Sequence, residues 1–508
     1  MQLKGDLSGG VISALIPFPK AMALGVLVFA PLGPDFISFG IIAGLIALII
    51  SNVTVAFLGA MPIMISAPYS LSSFMLLAAL NIIIGKLGGN ISNTAMASVS
   101  VAFLFLTIFL SGGFQCLFGL CRIGDLAKYI PYPVLAGLVN GSALMIIFFQ
   151  IKVILGLPKT VALKEIVSHF SEIQFFTLVV GLTACLAIWG GPRIIKKIPS
   201  PFYGLIAGSM VYYLFVFIGL ENSLGSVIGA IPSIIPTPRY GMEFFQLIIA
   251  KNYWPLIVEL IPLALGVAAI NSLRSLVVCT TADNLIEKRS NANKELFGQG
   301  CGNMMNGIFG GISTASSMPS TLANYQYGGR TSFSRAVSGI FPLLVLLFLY
   351  PLVAKIPHAV LAGLLIMIAL ESIDAWSLNL FSQVKPAWTA GDKSSLVNLI
   401  IVLTVTAIVI IFGILEALGF GLAISIGWFV VRMSKSVIRQ EFKADTFHSN
   451  TQRRKEEFEL LEKEGHLIRI LELEGALFFG TSDKIAVHVE NYLKNSVAFK
   501  GLIVEICR

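Results

Sequence analysis

Apolar stretches of about twenty residues, each long enough to cross a bilayer, recur from residue 9 to about residue 434, with the charge confined mostly to the segments between them. Fourteen such stretches can be counted, seven in each half, some of them short or interrupted by Pro and Gly. The pattern predicts an all-α polytopic membrane domain over residues 1–435. The first stretch, about residues 9–30, contains Pro17 and Pro19, follows a single Lys and lacks a small-residue cleavage site. It reads as a retained span rather than a signal peptide. After residue 435 the pattern changes. Residues 436–465 are charged, centred on Arg453–Glu457, and read as a linker with a short helix. Leu467–Leu473 alternates like a half-buried strand, Thr481-Ser482-Asp483 can cap a helix running to about Lys494, and Leu502–Cys507 reads as a second strand. One strand–helix–strand unit cannot cover both faces of its sheet. Residues 466–508 are therefore expected to be the start of a small cytoplasmic α/β domain, in a chain that is itself a fragment.

The chain also repeats itself. Ile130-Pro131-Tyr132-Pro133-Val134-Leu135-Ala136-Gly137-Leu138 is echoed by Ile356-Pro357-His358-Ala359-Val360-Leu361-Ala362-Gly363-Leu364. A looser pair is Ser66-Ala67-Pro68-Tyr69-Ser70-Leu71 and Ser317-Met318-Pro319-Ser320-Thr321-Leu322. Paired, Pro-interrupted segments in two halves of a hydrophobic chain point to a transporter built from repeats, with its site at the repeat interface. Pro68 lies 48 residues after Lys20, and Pro319 lies 48 residues after Asn271, so Lys20 and Asn271 are expected to be symmetric partners.

The same alignment makes Tyr69-Ser70 and Ser320-Thr321 the starts of two short helices, in spans 3 and 10. A helix that begins inside the membrane leaves its first N–H groups unpaired and presents the positive end of its dipole, about half a charge. Two such ends facing each other make an anion site. Ser66, Ser70, Ser320 and Thr321 add hydroxyl donors, and Gly310 and Gly311 permit close backbone approach. Lys20 is a charge inside a span, which costs at least about 2.5 kcal/mol on insertion scales and so asks for a functional or paired role; the alternative is a shallow Lys that snorkels. Arg274 follows Asn271 by three residues, on the same helical face. Its alternatives are pairing with Asp283, lipid headgroups or helix C-terminal carbonyls. Glu259 reads as structural, Glu416 as a solvated cap, His358 as an interfacial polar residue, and Glu371 and Asp374 as an interfacial anchor. Two cations with no acid facing them define the expected cavity.

Composition narrows the class further. With 56% hydrophobic and 12% charged residues the chain is far from a soluble globule. Arg193, Lys196 and Lys197, then Lys288, Arg289 and Lys294, Arg330 and Arg335, and Arg432, Lys435 and Arg439 fall on one side if the spans alternate. That side is expected to be cytoplasmic, with both termini inside. The formal charge of +8 is then loop bias and not a nucleic-acid footprint. The six cysteines show neither disulfide nor metal spacing. Without a phosphate-binding loop, nucleophile elbow or metal-ligand cluster, the sequence argues against an ATP-driven pump or an enzyme, and no cofactor is expected.

Several motifs in order resemble the sulfate permease (SulP) family. They are Gly113-Phe114-Gln115 through Arg122-Ile123-Gly124, the first repeated phrase, Asn140-Gly141, Gln150 and Leu155-Gly156-Leu157-Pro158. Asp283-Asn284, Asn293-Lys294-Glu295-Leu296, Gly298-Gln299-Gly300, Gly302-Asn303, and Asn324 followed by Gly328-Gly329-Arg330-Thr331 continue the likeness. Glu474-Gly475-Ala476-Leu477-Phe478-Phe479 looks like the start of a STAS domain. The resemblance implies a homodimer with 14 spans in a 7+7 inverted repeat. A core (about 7–120 and 255–350) would carry the anion between half-helices 3 and 10, moving against a gate (about 126–220 and 356–435). Where the family often has Gln, usually Glu or Asp, and often Arg, this chain has Lys20, Asn271 and Ser320. Cation coupling through an acid on span 8 is thereby put in question, and Lys20 stands in for the charge absent at Ser320.

The expected function is a secondary active transporter of a small anion, with sulfate favoured and bicarbonate, chloride or a dicarboxylate as alternatives. The candidate substrate-binding residues are Lys20, Ser66, Tyr69, Ser70, Asn271, Arg274, Ser320 and Thr321. The expected partners are the lipid bilayer of a plasma (inner) membrane, a second copy of the chain and a cytoplasmic partner for the STAS-like domain. The competing readings are a nucleobase permease of the same fold and an anion-responsive sensor or channel-like protein.

Overall fold

The apolar stretches become helices that are mostly hydrophobic on every side, as membrane burial requires. A computed structural model describes residues 2–88, 94–122, 132–157, 173–194, 199–229, 236–287, 289–380 and 394–414, then 416–417, 419–421, 423–424, 427, 438–446, 454–474, 488–490 and 501–507. The chain divides into two compact units, Met1–Gly421 and Leu422–Arg508.

In the first unit the helices are α1 (Gln2–Leu15), α2 (Phe18–Phe29), α3 (Ile37–Leu58), α4 (Ser70–Lys86), α5 (Thr94–Leu120), α6 (Tyr132–Ile154), α7 (Phe175–Ile194), α8 (Ser200–Phe217), α9 (Arg239–Ile249), α10 (Trp254–Ile286), α11 (Ala292–Phe309), α12 (Met318–Gln326), α13 (Ser332–Phe348), α14 (Tyr350–Ala354), α15 (His358–Ser372) and α16 (Ser394–Ile411). Among the described residues seven segments are long and apolar enough to cross a membrane, and four shorter apolar helices join them. The first stretch starts earlier than its hydrophobicity suggested, at Gln2, and breaks between α1 and α2 at Pro17, which serves as the N-cap of α2 with Pro19 in its first turn.

The helices pack in two groups. α3 lies against α2, α11 and α13, while α5 packs on α10 and α11, and α1 covers α12 and α13. In the second group α6 packs on α15 and α16, and α7 on α8 and α15. The groups meet where α2 touches α8 and α15, and where α4 touches α6. Small residues set the closest approach. Gly40 and Gly44 of α3, one turn apart, face Ala21 and Gly25 of α2, and a Cβ on Gly40 would sit 2.6 Å from the Gly25 carbonyl oxygen. In a membrane, where no hydrophobic effect drives helices together, such small-residue contacts are what let backbones pack.

The second unit contains β3 (Ile438–Lys443), the helix α17 (Lys455–Glu464), β4 (Ile468–Glu474) and β5 (Gly501–Cys507). The sheet order is β3-β4-β5, with β3 antiparallel and β5 parallel to β4. The stretch read as a linker thus contributes an edge strand, which its charged composition concealed: Arg469 pairs with Glu441 across β3 and β4 at 3.1 Å. The cap expected at Thr481-Ser482-Asp483 lies outside the described residues, as do Ile130 and Pro131 of the first repeated phrase.

Candidate functional site

The looser echo forms a crossing point in the interior. The chain leaves α3 at Gly59, runs extended through β1 (Ser66–Pro68) and enters α4 at Ser70. In the other half it leaves α11 through Gly310, which takes the left-handed conformation at φ 84°, passes through β2 (Thr314–Ser316) and enters α12 at Met318. β1 and β2 pair antiparallel, Ser66 opposite Ser316 and Pro68 opposite Thr314. Neither Tyr69 nor Ser317, the N-cap residues of α4 and α12, accepts a first-turn backbone N–H with its side chain. Both helix starts therefore keep an uncapped positive end beside the crossing. Gly311 lies where a Cβ would meet the Ala47 backbone nitrogen at 2.9 Å, so close approach is required there as the sequence suggested.

Extended strands of three residues cannot satisfy their own polar groups, and α11 supplies the rest. Glu295, Gln299, Asn303 and Asn306 line one face of that helix, all buried. Gln299 accepts from the Ser66 hydroxyl at 3.0 Å and donates to Ser316 Oγ at 3.1 Å. Asn303 donates to the Thr314 carbonyl at 2.9 Å and accepts from the Thr314 N–H at 2.8 Å. Asn52 of α3 closes the other side, accepting from Ser66 N–H and donating to the Ser66 carbonyl, both at 2.8 Å. Buried polar groups need partners. The crossing is held by amide side chains, not by a continuing sheet.

Beside it lies a cavity of about 760 Å³. Lys20 from α2, Tyr69 before α4 and Arg274 from α10 line one part, with Pro68, Ser316 and Pro319 of the crossing between them. The guanidinium of Arg274 sits 5.4 Å from the centroid of the Tyr69 ring, a cation–π contact that orients it. Asp283, the suggested alternative partner of Arg274, instead accepts from Ser290 N–H and hydroxyl at 2.9 and 2.7 Å.

Tyr132, Glu371 and Asp374 line the same cavity. This corrects the expectation that no acid faces the two cations. The end of α15 folds back beside α6: Asp374 accepts from the Tyr132 hydroxyl at 2.6 Å and from Ser377 N–H at 2.8 Å, and its own N–H donates to Asn140 at 2.8 Å. The start of α6, within the first repeated phrase, is thereby tied to the segment that follows α15.

Of the eight candidate residues, Lys20, Tyr69 and Arg274 are brought together at the cavity. Ser66 and Thr321 are buried and serve the crossing, Thr321 accepting from Ile65 N–H at 3.1 Å. Ser320 exchanges a hydrogen bond with Ser317 at 3.0 Å. Asn271 donates to Ser313 at 2.7 Å, and its Oδ1 has no described partner. Ser70 is buried with its hydroxyl unpartnered. None of these five lines the cavity itself. Helix 12 starts two residues before Ser320, at Met318, because Pro319 is accepted in a first turn. Glu259 is a surface residue paired with Lys86 at 2.7 Å. Arg335, counted above among the loop cations, is 1% exposed and bonded to Glu295 at 2.6 Å.

Comparison with known proteins decides the family. The sulfate permease family profile matches residues 3–387, about three quarters of the chain. The chain belongs to the sulfate permease family. Bicarbonate transporter BicA of Picosynechococcus sp. is 26% identical over 493 residues, covering 95% of this chain and 80% of the relative. Sulfate transporter 4.1, chloroplastic, of Arabidopsis thaliana is 26% identical over 435 residues, covering 83% of this chain and 58% of the relative. The solved transmembrane domain of a cyanobacterial bicarbonate transporter BicA matches with a TM-score of 0.66 at 26% identity, covering 82% of this chain and 97% of that one. The chain is thus an integral membrane protein of an anion-transporter family. Within the family frame, the amide stripe of α11 gives a physical reason for Glu295-Leu296, Gly298-Gln299-Gly300 and Gly302-Asn303: amides on one face hold the crossing, and glycines on the others let α3 and α5 close in.

Proposed function

We propose that this member of the sulfate permease family is a secondary active transporter of a small oxyanion, with sulfate as the favoured substrate and bicarbonate as the competitor. The observation that carries the reading is the meeting of Lys20, Arg274 and two uncapped helix starts around one cavity. Charge-assisted donors and helix N-termini are what a partly desolvated oxyanion needs in place of water. A tetrahedral oxyanion has enough oxygens to engage both cations at once. The family pattern implied by the resemblance has an acid where this chain has Asn271, so the reading includes transport that does not require sodium.

In the finer picture, the group built on α1–α5 and α10–α13 carries the anion past the group built on α6–α8 and α15–α16, an elevator-like alternating access. A homodimer, a plasma-membrane location, cytoplasmic termini and a STAS-like identity for the C-terminal unit complete the proposal.

Uptake of labelled sulfate and bicarbonate into proteoliposomes, with and without sodium and pH gradients, tests it. Replacing Lys20 with Gln is expected to raise the KM for the transported anion about tenfold, the worth of one charge-assisted hydrogen bond. Arg274→Gln should do the same. Unchanged KM in both variants would sink the reading, and sodium-dependent uptake would overturn the role given to Asn271. A nucleobase that outcompetes sulfate would favour the permease alternative.

A further inference from the structure

We propose that Glu371 is a tethered competitor of the transported anion: from across the same cavity, without an ion-pair contact, its carboxylate offsets the charge of Lys20, and the entering anion takes over that role. The inference rests on the transport reading above and adds a regulatory residue to that site.

Glu371 stands near the end of α15, and α15 packs against α2, the helix that carries Lys20. Both side chains line the cavity. Neither is in direct ion-pair contact with any described residue. The neighbouring acid differs. Both oxygens of Asp374 are engaged, by the Tyr132 hydroxyl and by Ser377 N–H, so its carboxylate is fixed to the α6–α15 corner. Among the described residues no hydrogen bond or ion pair engages the Glu371 carboxylate, and its side chain has the longer reach.

Two cations in an empty, partly desolvated cavity are costly unless something offsets them. A carboxylate on a flexible side chain supplies that offset without a bound ligand. An incoming sulfate offers Lys20 the same chemistry, oxygen atoms carrying negative charge, and so must compete with it. Displacement then coincides with loading. Since α2 and α15 belong to the two packing groups, the empty cavity holds the groups together by charge, and the loaded cavity releases them.

The test is a double-mutant cycle on sulfate binding to the full chain in detergent, by titration calorimetry, with KM in proteoliposomes alongside. Glu371→Gln is expected to tighten sulfate binding about two- to fivefold, the range for a solvated pair of charges. In the Lys20→Gln background the same change should have no effect. Glu371→Asp, which keeps the charge and shortens the reach, should tighten binding as Glu371→Gln does. Glu371→Ser provides a second neutral variant should the glutamine form fold poorly. An equal gain with and without Lys20 would mean that Glu371 acts only through the general field, and would overturn the proposal. So would weaker binding in Glu371→Gln. If the unaltered protein binds neither sulfate nor bicarbonate, the transport reading itself fails; if it binds and transports normally while the cycle is additive, only the competitor role fails.

Discussion

Replacing Arg335 with leucine should lower the stability of the protein by roughly 3–5 kcal/mol, the usual cost of leaving a buried charge without its partner. Arg335 and Glu295 are each 1% exposed and lie 2.6 Å apart. The two form more than a pair. Glu295 Oε2 accepts from Ala60 and Met61 N–H at 2.8 and 2.9 Å, and Oε1 accepts from Gln299 at 3.0 Å. Arg335 donates to the Met61 and Val55 carbonyls at 3.0 and 3.3 Å. Val55 is one of the last four carbonyls of α3, and the last turn of a helix welcomes a cation. Glu295 sits in the first turn of α11, which welcomes an anion. The ion pair thus joins two helix ends whose dipoles already favour it, and it fixes the chain between α3 and β1.

Scanning fluorimetry and size-exclusion chromatography in detergent would measure the loss. Arg335→Lys should fall between leucine and the unaltered protein, since an ammonium keeps the charge but cannot serve Met61, Val55 and Glu295 from one planar fork. A double variant with leucine at both Arg335 and Glu295 should recover part of the loss, because no lone charge remains, though Ala60 and Met61 then lose their acceptor. A leucine variant as stable as the unaltered protein would overturn the role given to this pair.

Much of the membrane fold was legible in the sequence because its signals are local. Hydrophobic runs must be about as long as the bilayer is thick, and the paired Pro-Tyr-Ser and Pro-Ser-Thr segments announce helices that restart. Their partners were not legible. Glu295 and Arg335 are forty residues apart, and Arg335 read as a loop charge until packing brought the two together. Lys20 and Arg274 came to light because charges inside apolar runs are rare. Glu371 escaped because it stands at the end of its apolar run, where an acid normally meets water. Ser66, Ser320 and Thr321 were placed at the right crossing, but a sequence does not say which way a hydroxyl turns. Here the Ser66 hydroxyl turns to Gln299 of α11, and the Thr321 hydroxyl to Ile65 N–H just before β1.

The largest functional effect expected from a residue that touches no anion belongs to Gly44. A Cβ placed there would collide with the carbonyl oxygen of Ala21, the residue after Lys20, and a Cβ on Gly25 would collide with the carbonyl oxygen of Gly40. Backbone meets backbone, so no rotamer change relieves the overlap. α2 must move away from α3, and Lys20 moves with it. Overpacking of this kind costs about 1–3 kcal/mol, and a positioned group shifted by roughly 1 Å loses far more function than stability. Gly44→Ala should therefore reduce anion uptake at least about tenfold while leaving folded protein to study, and Gly44→Leu should abolish it. Gly85 is the control, since it lies in α4 with nothing within 4 Å of its added Cβ. Alanine there should leave transport intact and stabilise slightly, by about 0.5–1 kcal/mol, through helix propensity alone. The two glycines thus predict opposite signs for one chemical change. Normal uptake in Gly44→Ala would mean that Lys20 tolerates displacement, and that the close approach of α2 to α3 serves packing and not the site.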